Sequence, residues 1–122
     1  MEEAQVIVID GGNTQVKLGF FKQKQLLKTH RLNGVNSLNQ FISSRDIAVL
    51  ANVGNPQIQD QLREIGCQIQ PIHATGPTPF LNAYKTPETL GIDRLCNVTA
   101  VYDIHPKQNV LVVDIGTCIK FD

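Results

Sequence analysis

Two stretches of this chain carry an apolar run that ends in Asp-x-Gly, with Thr and Lys a few residues further on. The first is Val6-Ile-Val-Ile-Asp10-Gly11-Gly12-Asn13-Thr14-Gln15-Val16-Lys17. The second is Val110-Leu-Val-Val-Asp114-Ile-Gly116-Thr117-Cys118-Ile-Lys120-Phe-Asp122. With one residue of gap, Asp10, Gly12, Thr14 and Lys17 align with Asp114, Gly116, Thr117 and Lys120. Glycine lets backbone N–H groups approach phosphate oxygens with no Cβ in the way. Asp10 suits a Mg²⁺ ion held mostly through waters, because Mg²⁺ dehydrates reluctantly. Asn13 and Thr14 add donors, and Lys17 brings charge towards a terminal phosphate. Asp114 suits a cation beside the phosphates, and the Thr117 hydroxyl and amide suit ATP. A polar hairpin turn would use many of the same residues; the repetition favours the phosphate reading. An Asp-x-Gly-Thr also occurs in aspartic proteases, where two Asp act as a pair. Those proteins are all-β, whereas Asp114 follows an αβ segment.

A third stretch lies between the copies: Tyr84-Lys-Thr-Pro-Glu-Thr-Leu-Gly91-Ile92-Asp93-Arg94. It reads as a loop running into a helix that opens at Gly91, and the N–H groups of a helix N-terminus attract anions. Asp93 there suits accepting a proton from a substrate hydroxyl. Arg94 suits pairing with a carboxylate or a transferring phosphoryl group. The competing reading is structural: Asp is favoured in a first helical turn, and Asp-Arg neighbours are commonly surface charge.

The elements that position these residues follow from periodicity. Val6 to Ile9 is continuously apolar, as expected of a central strand buried on both faces. Val16, Leu18 and Phe20 alternate with polar or small residues as a hairpin partner, and Gln25 to Leu32 completes a meander. A short helical segment follows Asn36. Ile47 to Leu50 is a fourth strand, and Asn55-Pro56 open a helix with Ile58, Leu62 and Ile65 on one face, stopped by Gly66. Gln68 to Ile72 is a fifth strand, with Pro71 marking an edge or an end. Residues 74–90 lack periodicity and hold Pro77, Pro79 and Pro87, the profile of a functional or disordered loop. Ile92, Leu95, Val98 and Tyr102 mark a helix ending near His105-Pro106. Val110 to Val113 reads as a further buried strand.

The chain has 122 residues, 42% hydrophobic and 18% charged, with 11 basic and 11 acidic residues. That is about one domain with a real core. No Lys/Arg stripe provides the footprint of a nucleic-acid binder, and no apolar run reaches the length of a membrane span. Cys67, Cys96 and Cys118 form no CxxC or metal pattern. They read as buried small hydrophobes in a reducing cytoplasm. The N-terminus has no signal-peptide pattern.

Together the three stretches resemble the type III pantothenate kinase family, whose patterns are Asp-x-Gly-Asn-Thr-x-x-Lys, Tyr-x-x-Pro-x-x-Leu-Gly-x-Asp-Arg and Asp-x-Gly-Thr-Ala-x-Thr-x-Asp. The first two are matched in full by Asp10 to Lys17 and Tyr84 to Arg94. The third is matched at Asp114, Gly116, Thr117 and Asp122, with Cys118 for Ala and Lys120 for the second Thr. The resemblance, which covers about half of a complete member, implies an α/β ribonuclease-H-like domain (βββαβαβα) over residues 1–106. Residues 107–122 would begin a second, duplicated domain, as in the actin, sugar-kinase and chaperone ATPase superfamily. The last strand would lack its hairpin partner, and the chain alone would be inactive.

The implied chemistry is phosphorylation of pantothenate by ATP, the first step of coenzyme A synthesis. Asp10, Gly11, Gly12, Asn13, Thr14, Gln15, Val16, Lys17 and Thr117 would contact ATP. Tyr84, Gly91, Ile92, Asp93 and Arg94 would hold pantothenate, with Asp93 as proton acceptor. Asp114 would bind a monovalent cation, K⁺ or NH₄⁺, and Mg²⁺ would accompany ATP near Asp10. The resemblance further implies a cytoplasmic homodimer. The alternative is a transcriptional accessory factor without kinase activity.

Overall fold

The computed structural model of the chain describes residues 3–12, 15–53, 55–116 and 118–122. Two compact units divide it, Met1–Ile72 and His73–Asp122.

The first unit is a five-stranded mixed sheet with helical elements on one face. Strands β1 (Val6–Gly11), β2 (Val16–Lys22) and β3 (Gln25–Leu32) form an antiparallel meander; β4 (Ile47–Val53) and β5 (Gln68–Pro71) run parallel to β1. The order is β3-β2-β1-β4-β5, consistent with a ribonuclease-H-like arrangement. A single 3-10 turn, Leu38–Gln40, leads into β4, and helix α1, Gln57–Ile65, crosses from β4 to β5.

Alternation along the strands builds the core. Ile7, Ile9, Val16, Leu18, Phe20, Ala48 and Leu50 meet Leu38, Ile42, Ile58 and Leu62, all buried. Helix α1 stops where Gly66 takes a left-handed conformation (φ 80°) and its N–H donates to the Leu62 and Arg63 carbonyls, an arrangement that glycine adopts at little cost. Buried Asp46 is fully engaged: its carboxylate accepts from the Gln5 and Ser43 N–H groups and from the Ser43 hydroxyl.

Strand β1 corrects one expectation. Its residues alternate between buried (Ile7, Ile9, Gly11) and half-buried (Val6, Val8, Asp10), so only one face is fully covered. Pro71 closes edge strand β5, as its missing N–H requires.

In the second unit, residues 74–86 carry no regular element and a 3-10 turn, Pro87–Thr89, precedes helix α2, Ile92–Ile104. Strands β6 (Val113–Ile115) and β7 (Ile119–Phe121) form an antiparallel ribbon. Two expectations change here. The strand begins at Val113 rather than Val110, and Leu111, Val113 and Ile115 are exposed rather than buried; a two-stranded ribbon has no neighbouring strand to cover it. The last strand has its partner, because β7 pairs with β6 and the Val112 and Asp122 backbones exchange N–H···O bonds of 2.8 and 3.0 Å. The cysteines also diverge: Cys67 is buried and its thiol pushed up chiefly by that burial, Cys96 is half-buried, and Cys118 is exposed. No helix among the described residues is long and apolar enough to cross a membrane.

Candidate active site

Each Asp-x-Gly segment lies at the end of a strand that pairs with the strand following it. In the first unit Asp10 lies directly across the β1–β2 hairpin from Lys17, and the Gly12 N–H donates to the Gln15 carbonyl at 3.0 Å. In the second unit Asp114 lies across the β6–β7 ribbon from Lys120, and the Gly116 N–H donates to the Cys118 carbonyl at 3.0 Å. Each sequence motif is therefore a hairpin that sets a carboxylate opposite a lysine.

At Asp10 the β1–β4 ladder shifts register. Such bulges re-aim side chains. Asp10 and Lys17 line the open face of the sheet around a cavity of about 280 Å³, with Val8, Phe21, Leu26 and Arg31. Gly12 and Gln15 are exposed beside them, whereas Gly11 and Val16 are buried, so Val16 offers a ligand its backbone only. Asn13, Thr14 and Thr117, expected to contact ATP, lie outside the described residues.

The second unit holds the residues expected to bind the acceptor, most of them at the start of α2. Gly91 is its N-cap and Ile92 its first residue, so Asp93 stands in the first turn. A Cβ on Gly91 would lie 2.5 Å from Asp93 Oδ1. The glycine leaves room for the Asp93 carboxylate, while its φ of −60° is open to any residue. Lys120 Nζ donates to Asp93 Oδ2 at 2.7 Å. That hydrogen bond, helped by the Arg94 N–H, holds the Asp93 carboxyl below the usual carboxylate range against the opposing effect of burial. Asp93 is consequently an anion at neutral pH with free acceptor capacity.

Arg94 is committed differently. Its Nε donates to Asp122 Oδ1 and Oδ2 at 2.8 and 3.0 Å, and its Nη2 to Asp122 Oδ1 and to the Phe121 carbonyl, the latter at 3.1 Å. The guanidinium lies 5.6 Å from the Tyr84 ring centroid. Tyr84, Arg94 and Asp122 line a cavity of about 450 Å³ with Phe80, Leu90 and Val98. Arg94 therefore reaches the cavity as half of a neutral pair, and a substrate carboxylate would compete with Asp122 for it. An apolar wall with a few convergent polar groups is the usual form of a small-molecule site.

Lys120 and Asp122 were not expected to take part in the site. Lys120 in β7 and Asp122 just past its end stand two residues apart and meet the adjacent Asp93 and Arg94 with complementary charge. Sequence periodicity carries no signal for contacts between a helix and a strand so far apart in the chain. Among the described residues no group of three or more His, Cys, Asp or Glu gathers to hold a metal ion. Asp10 is a single carboxylate, which would suit a Mg²⁺ carried on nucleotide phosphates and waters better than an all-protein cage.

Each unit thus carries one Asp-x-Gly hairpin, and the second adds an ionised Asp at a helix start with a cavity nearby. A profile of the type III pantothenate kinase family matches residues 6–122. The chain is 32% identical over 122 residues to a type III pantothenate kinase of Bacteroides fragilis and 34% identical over 122 residues to one of Phocaeicola vulgatus. Each alignment takes in 95% of this chain and 50% of the relative. A type III pantothenate kinase of Christiangramia forsetii is 34% identical over 125 residues, 95% of this chain and 51% of the relative. The chain spans about half the length of these relatives, and it belongs to the type III pantothenate kinase family.

Proposed function

We propose that this protein phosphorylates the primary hydroxyl of pantothenate with ATP, the entry step of coenzyme A synthesis. The observation that carries the reading is Asp93: a carboxylate held ionised at the start of α2, in the motif shared with the family. In this reading Asp93 takes the hydroxyl hydrogen bond and then its proton. Phosphoryl transfer is commonly loose, so orienting the hydroxyl weighs as much as deprotonating it. Tyr84, Gly91, Ile92 and Arg94 hold pantothenate beside Asp93, with Arg94 turning from Asp122 to the pantothenate carboxylate. The segment from Asp10 to Lys17 and Thr117 bind ATP. Mg²⁺ on the nucleotide supplies charge neutralisation, with Asp10 holding it through water, and Asp114 holds K⁺ or NH₄⁺.

The same reading makes residues 107–122 the opening of a second domain, and the protein a cytoplasmic homodimer without nucleic-acid or membrane partners. The test is ADP formation by the full-length protein with and without pantothenate. ADP release that depends on pantothenate, and falls by about 10²-fold or more in Asp93→Asn, is the expected result. Release indifferent to pantothenate would overturn the substrate assignment.

A further inference from the structure

We propose that Lys120 is a positioning residue for Asp93, an inference that rests on the kinase reading above. Lys120 stands where the third family pattern given above has Thr. Lys120 stands on β7 and Asp93 on α2, 27 residues apart, yet the ammonium donates to Asp93 Oδ2 at 2.7 Å. Both side chains are about one-third exposed, at 31% and 34%. The pair thus borders solvent, where a substrate hydroxyl can reach the carboxylate.

The two oxygens of Asp93 have different surroundings. Oδ1 is folded back over Gly91, where a Cβ would meet it. Oδ2 is fixed by Lys120. The Lys120 hydrogen bond restrains rotation of the carboxylate, and Oδ1 keeps acceptor capacity for a hydroxyl. An oriented acceptor is worth more than a mobile one, since misplacement by about 1 Å can cost about 10²-fold in rate.

Other charged groups nearby are otherwise arranged. Arg94 is held by Asp122. Asp114 is the cross-strand neighbour of Lys120 and adds a smaller attraction to its ammonium than Asp93 does. During transfer the acceptor oxygen bonds to the γ-phosphorus of ATP. The bond from that phosphorus to the β,γ-bridging oxygen breaks, and its electron pair leaves on ADP. The hydroxyl proton passes to Asp93 and then to solvent. Lys120 stays protonated throughout and holds Asp93 in place.

Two measurements on the full-length protein test this. In steady-state kinetics with ATP and pantothenate, Lys120→Met is expected to lower kcat about tenfold or more while KM for pantothenate stays within about twofold. Lys120→Arg should recover most of the loss. In ¹⁵N-edited spectra, the Lys120 ammonium should give a signal protected from solvent exchange that disappears in Asp93→Asn. Unchanged or raised kcat in Lys120→Met overturns the inference while leaving the kinase reading intact, and so does an ammonium signal indifferent to Asp93→Asn. A protected signal in a protein that does not phosphorylate pantothenate overturns the kinase reading, and the positioning role falls with it.

Discussion

Gly91 and Asp93 form one unit of chemistry at the residue scale. The glycine leaves room for the carboxylate to fold back over the helix start. Gly91→Ala puts a Cβ against Oδ1, and the flexible side chain, rather than the backbone, has to move. The expected outcome is a fall in kcat of about tenfold with thermal stability nearly unchanged, checked by kinetics and a melting curve on the same variant. The Asp93–Lys120 pair also sets a pH window. The Asp93 carboxyl is lowered in the folded chain, so its contribution to stability is present above the unfolded value near ~4 and is lost as pH falls through the lower folded one. Lys120 is raised by Asp93, so its contribution is present below about 10.4 and is lost as pH rises through the higher folded value. No acid limb from Asp93 is therefore expected in the rate between about pH 5 and 8. A limb in that interval that disappears in Asp93→Glu would contradict this.

At the scale of elements, hairpins and one helix do the positioning. The β2–β3 turn has both central residues at positive φ, Gln23 at 48° and Lys24 at 67°. That is a two-residue turn of the kind Asn-Gly makes with least strain. Replacing Gln23-Lys24 by Asn-Gly should stabilise the chain by about 1 kcal/mol, read as a shift in the denaturant midpoint. Leu62, fully buried under the sheet, should cost about 2–5 kcal/mol as Leu62→Ala.

The meander, α1 and α2 were legible in the sequence because each has a clean period and a local stop signal. Gly66 ends α1, and α2 opens at Gly91. The start of β6 was not legible. Val110 to Val113 has the composition of a buried strand, and only pairing with β7 decides where the ladder begins. The Arg94–Asp122 and Lys120–Asp93 contacts were hidden for a related reason: each joins a helix to a strand almost thirty positions away, and periodicity carries no information on such pairs. Asp10 to Lys17 could be read as a turn at once, since hairpin chemistry is local.

For the whole molecule, the two units differ in how they are held. The first has a continuous core from Ile7 to Cys67. In the second, Leu95 is the buried hydrophobic side chain among the described residues, while Leu111, Ile115, Ile119 and Phe121 are exposed. Local stability should follow burial. Amide exchange on the 122-residue chain is expected to be slowest in β1, β2 and β4 and fastest in β6 and β7; equal protection across both units would refute this ordering. The central claim is that Asp93 is the acceptor-side carboxylate of a pantothenate kinase. It is tested most directly by following phosphopantothenate formation from ATP and pantothenate with wild-type and Asp93→Asn full-length protein. Product is expected with the wild type, and a loss of about 10²-fold or more in the variant, with the fold retained. Equal product formation by the two proteins would contradict it.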